Sequence, residues 1–109
     1  MEKKENSKSV LVLGASMKST RYSNKAIKAL TEHGHTVFAI GRSDGVINGV
    51  PIEDSFSDLQ DELEIHTISM YLREVHQTEY EEAILSRKPK RVIFNPGAEN
   101  ALFYRDIQK

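Results

Sequence analysis

Basic and hydroxyl side chains follow one another in a short loop near the start of the chain. Lys18 and Arg21 carry positive charge, and Ser16 and Ser23 offer hydroxyl donors, shortly after Gly14. Ammonium, guanidinium and hydroxyl groups together suit an oxyanion, above all a phosphate. A glycine at the head of such a loop permits a sharp turn and lets a ligand approach the backbone. The loop is therefore a candidate phosphate site.

The elements on either side of this loop are those that phosphate-binding folds use. Residues 10–14 are a continuous apolar run, which indicates a buried strand, and residues 22–30 have the spacing of an amphipathic helix. The first N–H groups of a helix have no partner within it, and its dipole leaves partial positive charge there. An anion docked at that end satisfies both. The alternative is an ordinary connection in which Ser19 or Thr20 caps the helix and the basic side chains are solvated.

Another basic residue stands where dinucleotide-binding folds recognise the ribose of their ligand. Residues 36–40 are β-branched and aromatic, which predicts a second strand, and Gly41 and Arg42 follow it directly. At this place an acidic residue accepts a hydrogen bond from a free ribose hydroxyl, whereas an arginine accommodates a ribose phosphate. Arg42 therefore favours NADP or coenzyme A over NAD. The alternative is a solvated arginine in a turn.

The composition describes one globular domain with no general attraction for nucleic acid. The chain has 109 residues, 39% hydrophobic and 28% charged, with a formal net charge of -1. It has no cysteine, which excludes disulfides and thiolate metal sites and predicts a cytoplasmic location. Residues 1–9 are expected to be a flexible tail, and no apolar run is long enough to cross a membrane.

His33 and His35 flank a predicted helix end and are expected to be structural, so no metal site is predicted.

Strands and helices alternate along the rest of the chain. After the second strand the sequence predicts an irregular connection over 46–52, a short helix from 55, a strand over 65–72, a helix over 74–87, a strand over 91–94 and a helix over 101–107. Such alternation predicts an α/β fold with a doubly wound parallel sheet and helices on both faces. Ligands bind these sheets at the carboxyl ends of the strands, where Tyr71 and Leu72 lie. His66, at the start of its strand, has no partnered nucleophile and is expected to be structural rather than a general base.

Several short motifs, in their order along the chain, resemble the small stand-alone bacterial CoA-binding proteins. The motifs are Gly14-Ala15-Ser16 with Arg21 and Ser23, Asn48-Gly49-Val50-Pro51 leading to Ser55-Phe56-Ser57-Asp58-Leu59, and Phe94-Asn95-Pro96-Gly97-Ala98-Glu99-Asn100. These proteins are similar to the N-terminal CoA-binding domain of the succinyl-CoA synthetase α subunit. The resemblance implies a Rossmann-like domain, spanning residues 10–109, that holds coenzyme A or an acyl-CoA across the carboxyl ends of strands in the order 3-2-1-4-5.

The resemblance also implies which residues contact the ligand. Around the phosphates it places Gly14, Ala15, Ser16, Lys18, Arg21 and Ser23. The adenosine end is expected to meet Gly41 and Arg42, and the slot to be lined by Tyr71 and Leu72. The loop after the last strand is expected to close the slot with Asn95, Pro96 and Gly97.

The chain departs from the family pattern at three points. Gly41-Arg42 stands where the family usually has Asn-Pro. The family usually continues through a fifth strand, but four are predicted before Lys109. Either a last strand follows Lys109 and completes the order 3-2-1-4-5, or the order is 3-2-1-4 and the sheet edge is filled otherwise. The phosphohistidine of the synthetase lies beyond the region of resemblance, so no catalytic residue is carried over.

The expected function is therefore non-catalytic binding, because the sequence contains no recognisable nucleophile elbow or acid–base pair. Two alternatives stay open. One is an NADP-binding oxidoreductase-like domain, although the loop keeps only the first glycine of the dinucleotide fingerprint and has Met17 where close approach is needed. The other is a ligand-free interaction or regulatory domain. A homodimer or another protein partner is compatible with each reading.

Overall fold

The computed structural model describes residues 8–60 and 63–108, which form a sheet covered by helices on both faces. The strands are β1 (Ser9–Ala15), β2 (Thr36–Gly41), β3 (Val46–Ile47), β4 (Val50–Glu53), β5 (Thr67–Met70) and β6 (Arg91–Phe94). The helices are α1 (Tyr22–Glu32), α2 (Glu74–Arg87) and α3 (Ala101–Gln108), and one turn of 3-10 helix spans Phe56–Asp58. The predicted α/β class is confirmed. No helix in this part of the chain is long and apolar enough to cross a membrane.

The sheet has the order β3-β4-β2-β1-β5-β6, and all neighbouring strands are parallel except β3 and β4. The five parallel strands β1, β2, β4, β5 and β6, numbered along the chain, lie in the order 3-2-1-4-5, which is the order that the resemblance implies. The four-strand order 3-2-1-4 was wrong for the strands as predicted, because the strand predicted over 65–72 pairs as β5 with β1 and not with β2. The place beside β2 belongs to β4, which lies in the segment predicted to be irregular. The strand that the prediction lacked is thus β4. The direction of chain progression across the sheet reverses at β1.

The hairpin of β3 and β4 explains why that segment looked irregular. Its loop is Asn48 and Gly49, whose φ angles of +48° and +82° fit a two-residue turn with both central residues left-handed. The turn pairs Ile47 with Val50. Strands of two and four residues are too short to display an alternating pattern, and Pro51 within β4 is typical of loops or sheet edges.

The side chains of β1 alternate between two apolar layers. Leu11 and Leu13 are fully buried on the face that carries α2 and α3, and Val10 and Val12 are buried on the face that carries α1. Burial on both faces is what a central parallel strand requires, and it explains the continuous apolar run. The carboxyl end of β1 is thereby fixed at the centre of one edge of the sheet.

Several predicted details differ from the structure. Tyr22 and Val75 are apolar residues of the helices predicted over 22–30 and 74–87, but they are 78% and 70% exposed, because each lies in the first turn of its helix. The predicted helix from 55 is a single 3-10 turn, and residues 61–62 lie outside the described residues. The predicted tail over 1–9 also lies mostly outside them, although Ser9 already belongs to β1.

Candidate ligand-binding site

The loop between β1 and α1 is folded by its own backbone and by one serine. Gly14 has a φ of +102°, and a Cβ there would lie 3.1 Å from the backbone of Tyr71, so this position favours glycine on two counts. The Ser16 hydroxyl accepts a hydrogen bond from the Lys18 N–H (3.1 Å), and the Arg21 N–H donates to the Lys18 carbonyl (3.0 Å). The side chains of Lys18 and Arg21 are exposed. The loop therefore holds two cations beside the start of α1.

The amino end of α1 is open. Its N-cap is Arg21, in an extended conformation, and no side chain among the described residues hydrogen-bonds the N–H groups of the first turn. The alternative interpretation of the loop required Ser19 or Thr20 to cap the helix, and neither does. The first turn also contains no acidic residue. Its N–H groups and the positive end of the helix dipole are consequently available to an anion.

A cavity of about 410 Å³ lies in front of this helix end. We call it the loop cavity, and it is lined by Gly14, Ser16, Lys18, Arg21, Tyr22, Ser23, Ser43, Tyr71 and Pro96. Its walls come from the loops after β1, β2, β5 and β6, all at the carboxyl ends of parallel strands. The volume of this cavity falls within the range of roughly 300–1,000 Å³ that is usual for small-molecule sites.

A second cavity, of about 180 Å³, shares Gly14 and Ser43 with the first. We call it the strand cavity, and it is lined by Leu13, Gly14, Ala15, Ile40, Gly41, Arg42, Ser43, Leu72, His76, Glu79 and Tyr80. Gly41 is required here because a Cβ would overlap the carbonyl oxygen of Ala15. The two cavities therefore adjoin at the ends of β1 and β2. Two adjoining cavities suit an extended ligand better than a compact one.

Most of the predicted site residues line one of these cavities, but two of the last loop do not. Asn95 uses its amide inside the fold, donating to the Ser69 hydroxyl (3.0 Å) and the Met70 carbonyl (2.9 Å). The N–H of Gly97 donates to the Glu99 carboxylate (2.9 Å). These bonds shape the loop and tie it to β5. Of this loop, only Pro96 lines either cavity within the described residues.

Arg42 and Glu79 face each other at the strand cavity. The guanidinium Nη2 lies 3.7 Å from the Glu79 carboxylate Oε1, and the two side chains are 75% and 58% exposed. Partial burial raises the pKa of the neighbouring Tyr80 phenol, Glu79 adds to this effect, and Arg42 opposes it. An arginine and a carboxylate in contact with each other therefore line this cavity.

A buried pair of amides that the sequence analysis missed holds two walls of the site in place. Gln77 is fully buried in α2, and its Nε2 donates to the carbonyls of Leu72 and Ala98, both at 2.8 Å. Its Oε1 accepts from Asn100 Nδ2 (3.1 Å), and Asn100 Oδ1 accepts from the Phe103 N–H (3.2 Å). The network joins the loops after β5 and β6. The sequence held one signal for this network. Gln77 lies seven residues, or about two helical turns, before the apolar Ile84, so both side chains lie on the same buried face of α2.

Asn24 supports the loop from inside α1. Its side chain is buried, and its Nδ2 donates to the Ser16 carbonyl at 2.9 Å. Its Oδ1 has no hydrogen-bond partner among the described residues. Asn24 therefore fixes the Ser16 backbone at the cost of one unpaired buried acceptor.

The histidines considered in the sequence lie away from both cavities. His66 precedes β5 at the opposite edge of the sheet, and its Nδ1 lies 2.7 Å from the Thr67 hydroxyl. Desolvation lowers its pKa, and the positive charges of Lys8, Lys90 and Arg91 lower it further. Within residues 8–60 and 63–108, no group of three potential ligands that could hold a metal ion is found.

Comparison with known proteins identifies related sequences and structures. The sequence model of a family described as CoA binding domain matches residues 8–109. An uncharacterized protein of known structure is 35% identical, with a TM-score of 0.84, 94% of this chain covered and 82% of that chain. A hypothetical protein from Pyrococcus horikoshii OT3 is 24% identical, with a TM-score of 0.82 and coverage of 94% and 71%. A conserved hypothetical protein from Pyrococcus furiosus is 24% identical, with a TM-score of 0.75 and coverage of 93% and 85%. No curated protein matches the chain.

Proposed function

Since the chain belongs to the family of CoA binding domains, we propose that it binds coenzyme A or an acyl-CoA without transforming it. The observation that carries this proposal is the uncapped amino end of α1, which opens on the loop cavity between Lys18 and Arg21. Free N–H groups, a helix dipole and two cations at one place match the phosphates of such a ligand. The formal net charge of the chain is -1, so the attraction for an anion is local.

The strand cavity suits the adenosine end of the ligand. Leu72 offers an apolar wall, and Gly41 brings the backbone of β2 close to that of β1. Arg42 stands at the position from which an arginine accommodates a ribose phosphate. Coenzyme A carries such a phosphate together with a pyrophosphate, and the loop cavity and Arg42 offer separate contacts for the two groups.

The charged groups of the loop cavity favour binding over chemistry. The guanidinium of Arg21 offers several N–H donors and no acceptor, which suits the oxygens of a phosphate. The Lys18 ammonium is exposed and likewise offers only hydrogen-bond donors. We therefore assign these groups to holding phosphate.

Calorimetric titration tests this function. Purified protein is titrated at modest salt with coenzyme A, 3′-dephospho-CoA, NADP and NAD. We expect coenzyme A to bind most tightly and loss of its 3′-phosphate to weaken binding. Arg21→Ala removes a charge-assisted contact of about 1.5–3 kcal/mol and is expected to weaken coenzyme A binding by about 10- to 150-fold.

Lys90→Ala provides the matched control, because Lys90 is exposed and precedes β6 at the opposite edge of the sheet. It removes the same charge and is expected to leave the affinity unchanged. Preference for NADP over coenzyme A would favour the oxidoreductase-like alternative. Absence of binding by all four compounds would refute the proposal.

A further inference from the structure

The ion pair between Arg42 and Glu79 bears directly on ligand discrimination. Glu79 lies on α2, whereas Arg42 follows β2, so the contact of 3.7 Å joins two separate elements. Both side chains line that cavity. The Glu79 carboxylate is thus already paired with the Arg42 guanidinium, which is the group that a ribose phosphate would bind.

A carboxylate at this position affects a phosphate in two ways. It competes for the guanidinium, and it repels any dianion that approaches Arg42. Both effects act on the ribose phosphate, while a ligand with free ribose hydroxyls escapes them. Exposure of the pair weakens its internal attraction, so a phosphate can displace the carboxylate.

We propose that Glu79 is a specificity-determining residue, which limits the preference of the site for a ribose phosphate by competing with that phosphate for Arg42. This inference rests on the proposed function. Glu79 holds the selectivity between coenzyme A and its 3′-dephospho form below the value that Arg42 alone would give. Burial raises the pKa of Tyr80, Glu79 raises it further and Arg42 lowers it, which is consistent with both groups facing the same space.

The test is the ratio of the two affinities in matched variants. Wild-type protein, Glu79→Gln and Glu81→Gln are each titrated with coenzyme A and with 3′-dephospho-CoA. Glu79→Gln keeps the shape and removes the charge, and we expect its ratio to rise by about 3- to 10-fold in favour of coenzyme A, since exposed charge pairs contribute little and a phosphate carries up to two charges. Glu81→Gln removes the same charge two residues along α2, on roughly the opposite side of the helix, and is expected to leave the ratio unchanged.

The outcomes separate this inference from the function on which it rests. A higher ratio in Glu79→Gln, with no change in Glu81→Gln, supports the role of Glu79. An unchanged or lower ratio in Glu79→Gln, with coenzyme A still binding the wild type, overturns the role of Glu79 and leaves the proposed function standing. Failure of the wild type to bind either compound overturns both.

Discussion

Replacement of Gln77 by leucine is expected to destabilise the fold more than any exposed substitution in α2. The amide of Gln77 makes three hydrogen bonds in a fully buried position, to Leu72, Ala98 and Asn100. Leucine is of similar size, so the change removes these bonds while creating little empty volume. Two carbonyl groups and one side-chain amide then lose their partner.

The magnitude follows from those three groups. A buried polar group left without a partner costs about 1–3 kcal/mol, and the carbonyl of half-buried Leu72 has water as a substitute. Leucine recovers about 1–2 kcal/mol because it buries more apolar surface. We therefore expect Gln77→Leu to lower the free energy of unfolding by about 2–4 kcal/mol. That is a large share of the roughly 5–15 kcal/mol typical of a natural domain.

Urea unfolding followed by circular dichroism measures the change. Gln108→Leu is the matched control, because Gln108 is an exposed helical glutamine with one exposed hydrogen bond, to Tyr104. Its effect is expected to stay within about 0.5 kcal/mol. A loss below about 1 kcal/mol for Gln77→Leu would show that the amide network does not hold the two loops.

Three further substitutions probe other parts of the site. Gly41→Ala places a Cβ against the carbonyl oxygen of Ala15, so it is expected to lower the free energy of unfolding by about 1–3 kcal/mol. An unchanged midpoint of urea unfolding would contradict the close approach of β1 and β2. Asn24→Ala removes the donor to the Ser16 carbonyl and is expected to lower the free energy of unfolding by about 1–3 kcal/mol in the same assay, and an unchanged urea midpoint would refute the assigned bond. Folding raises the pKa of Tyr80 above its ordinary value of 10.0, so the stability linked to its proton is complete below pH 10 and is lost as the pH rises through the folded pKa. The difference in ultraviolet titration between wild type and Tyr80→Phe measures that pKa, and a midpoint at or below pH 10 would contradict the burial of the phenol.

The sequence predicted those elements whose residues have no competing interpretation. β1 is buried on both faces, and its apolar run from Val10 to Leu13 has no other reading. The limits of α2 were also predicted as observed, since Pro89 prevents its continuation. The hairpin of β3 and β4 was missed because its strands are short, and with it the segment that supplies the third parallel strand.

The candidate site was predictable only where its residues lie in loops. Lys18, Arg21 and Arg42 are charged residues next to the ends of predicted strands or helices, so position and chemistry both make them candidates for binding an anion. Gln77 and Glu79 are different, because a polar residue within a helix is read as solvent-facing until the packing of that helix is known. Which face of α2 meets the strand cavity depends on the sheet order, and the sequence does not fix that order.

The amides at the amino end of α1 provide the most direct test of the site. Nitrogen–proton correlation spectra of labelled protein are recorded with and without coenzyme A, and the shifts of Tyr22, Ser23 and Asn24 are compared with those of residues near His66, at the opposite edge of the sheet. If the ligand phosphates dock on the open helix end, these three amides shift strongly and those near His66 do not. Saturating binding without any shift of these three amides would contradict the central claim that this helix end holds the ligand.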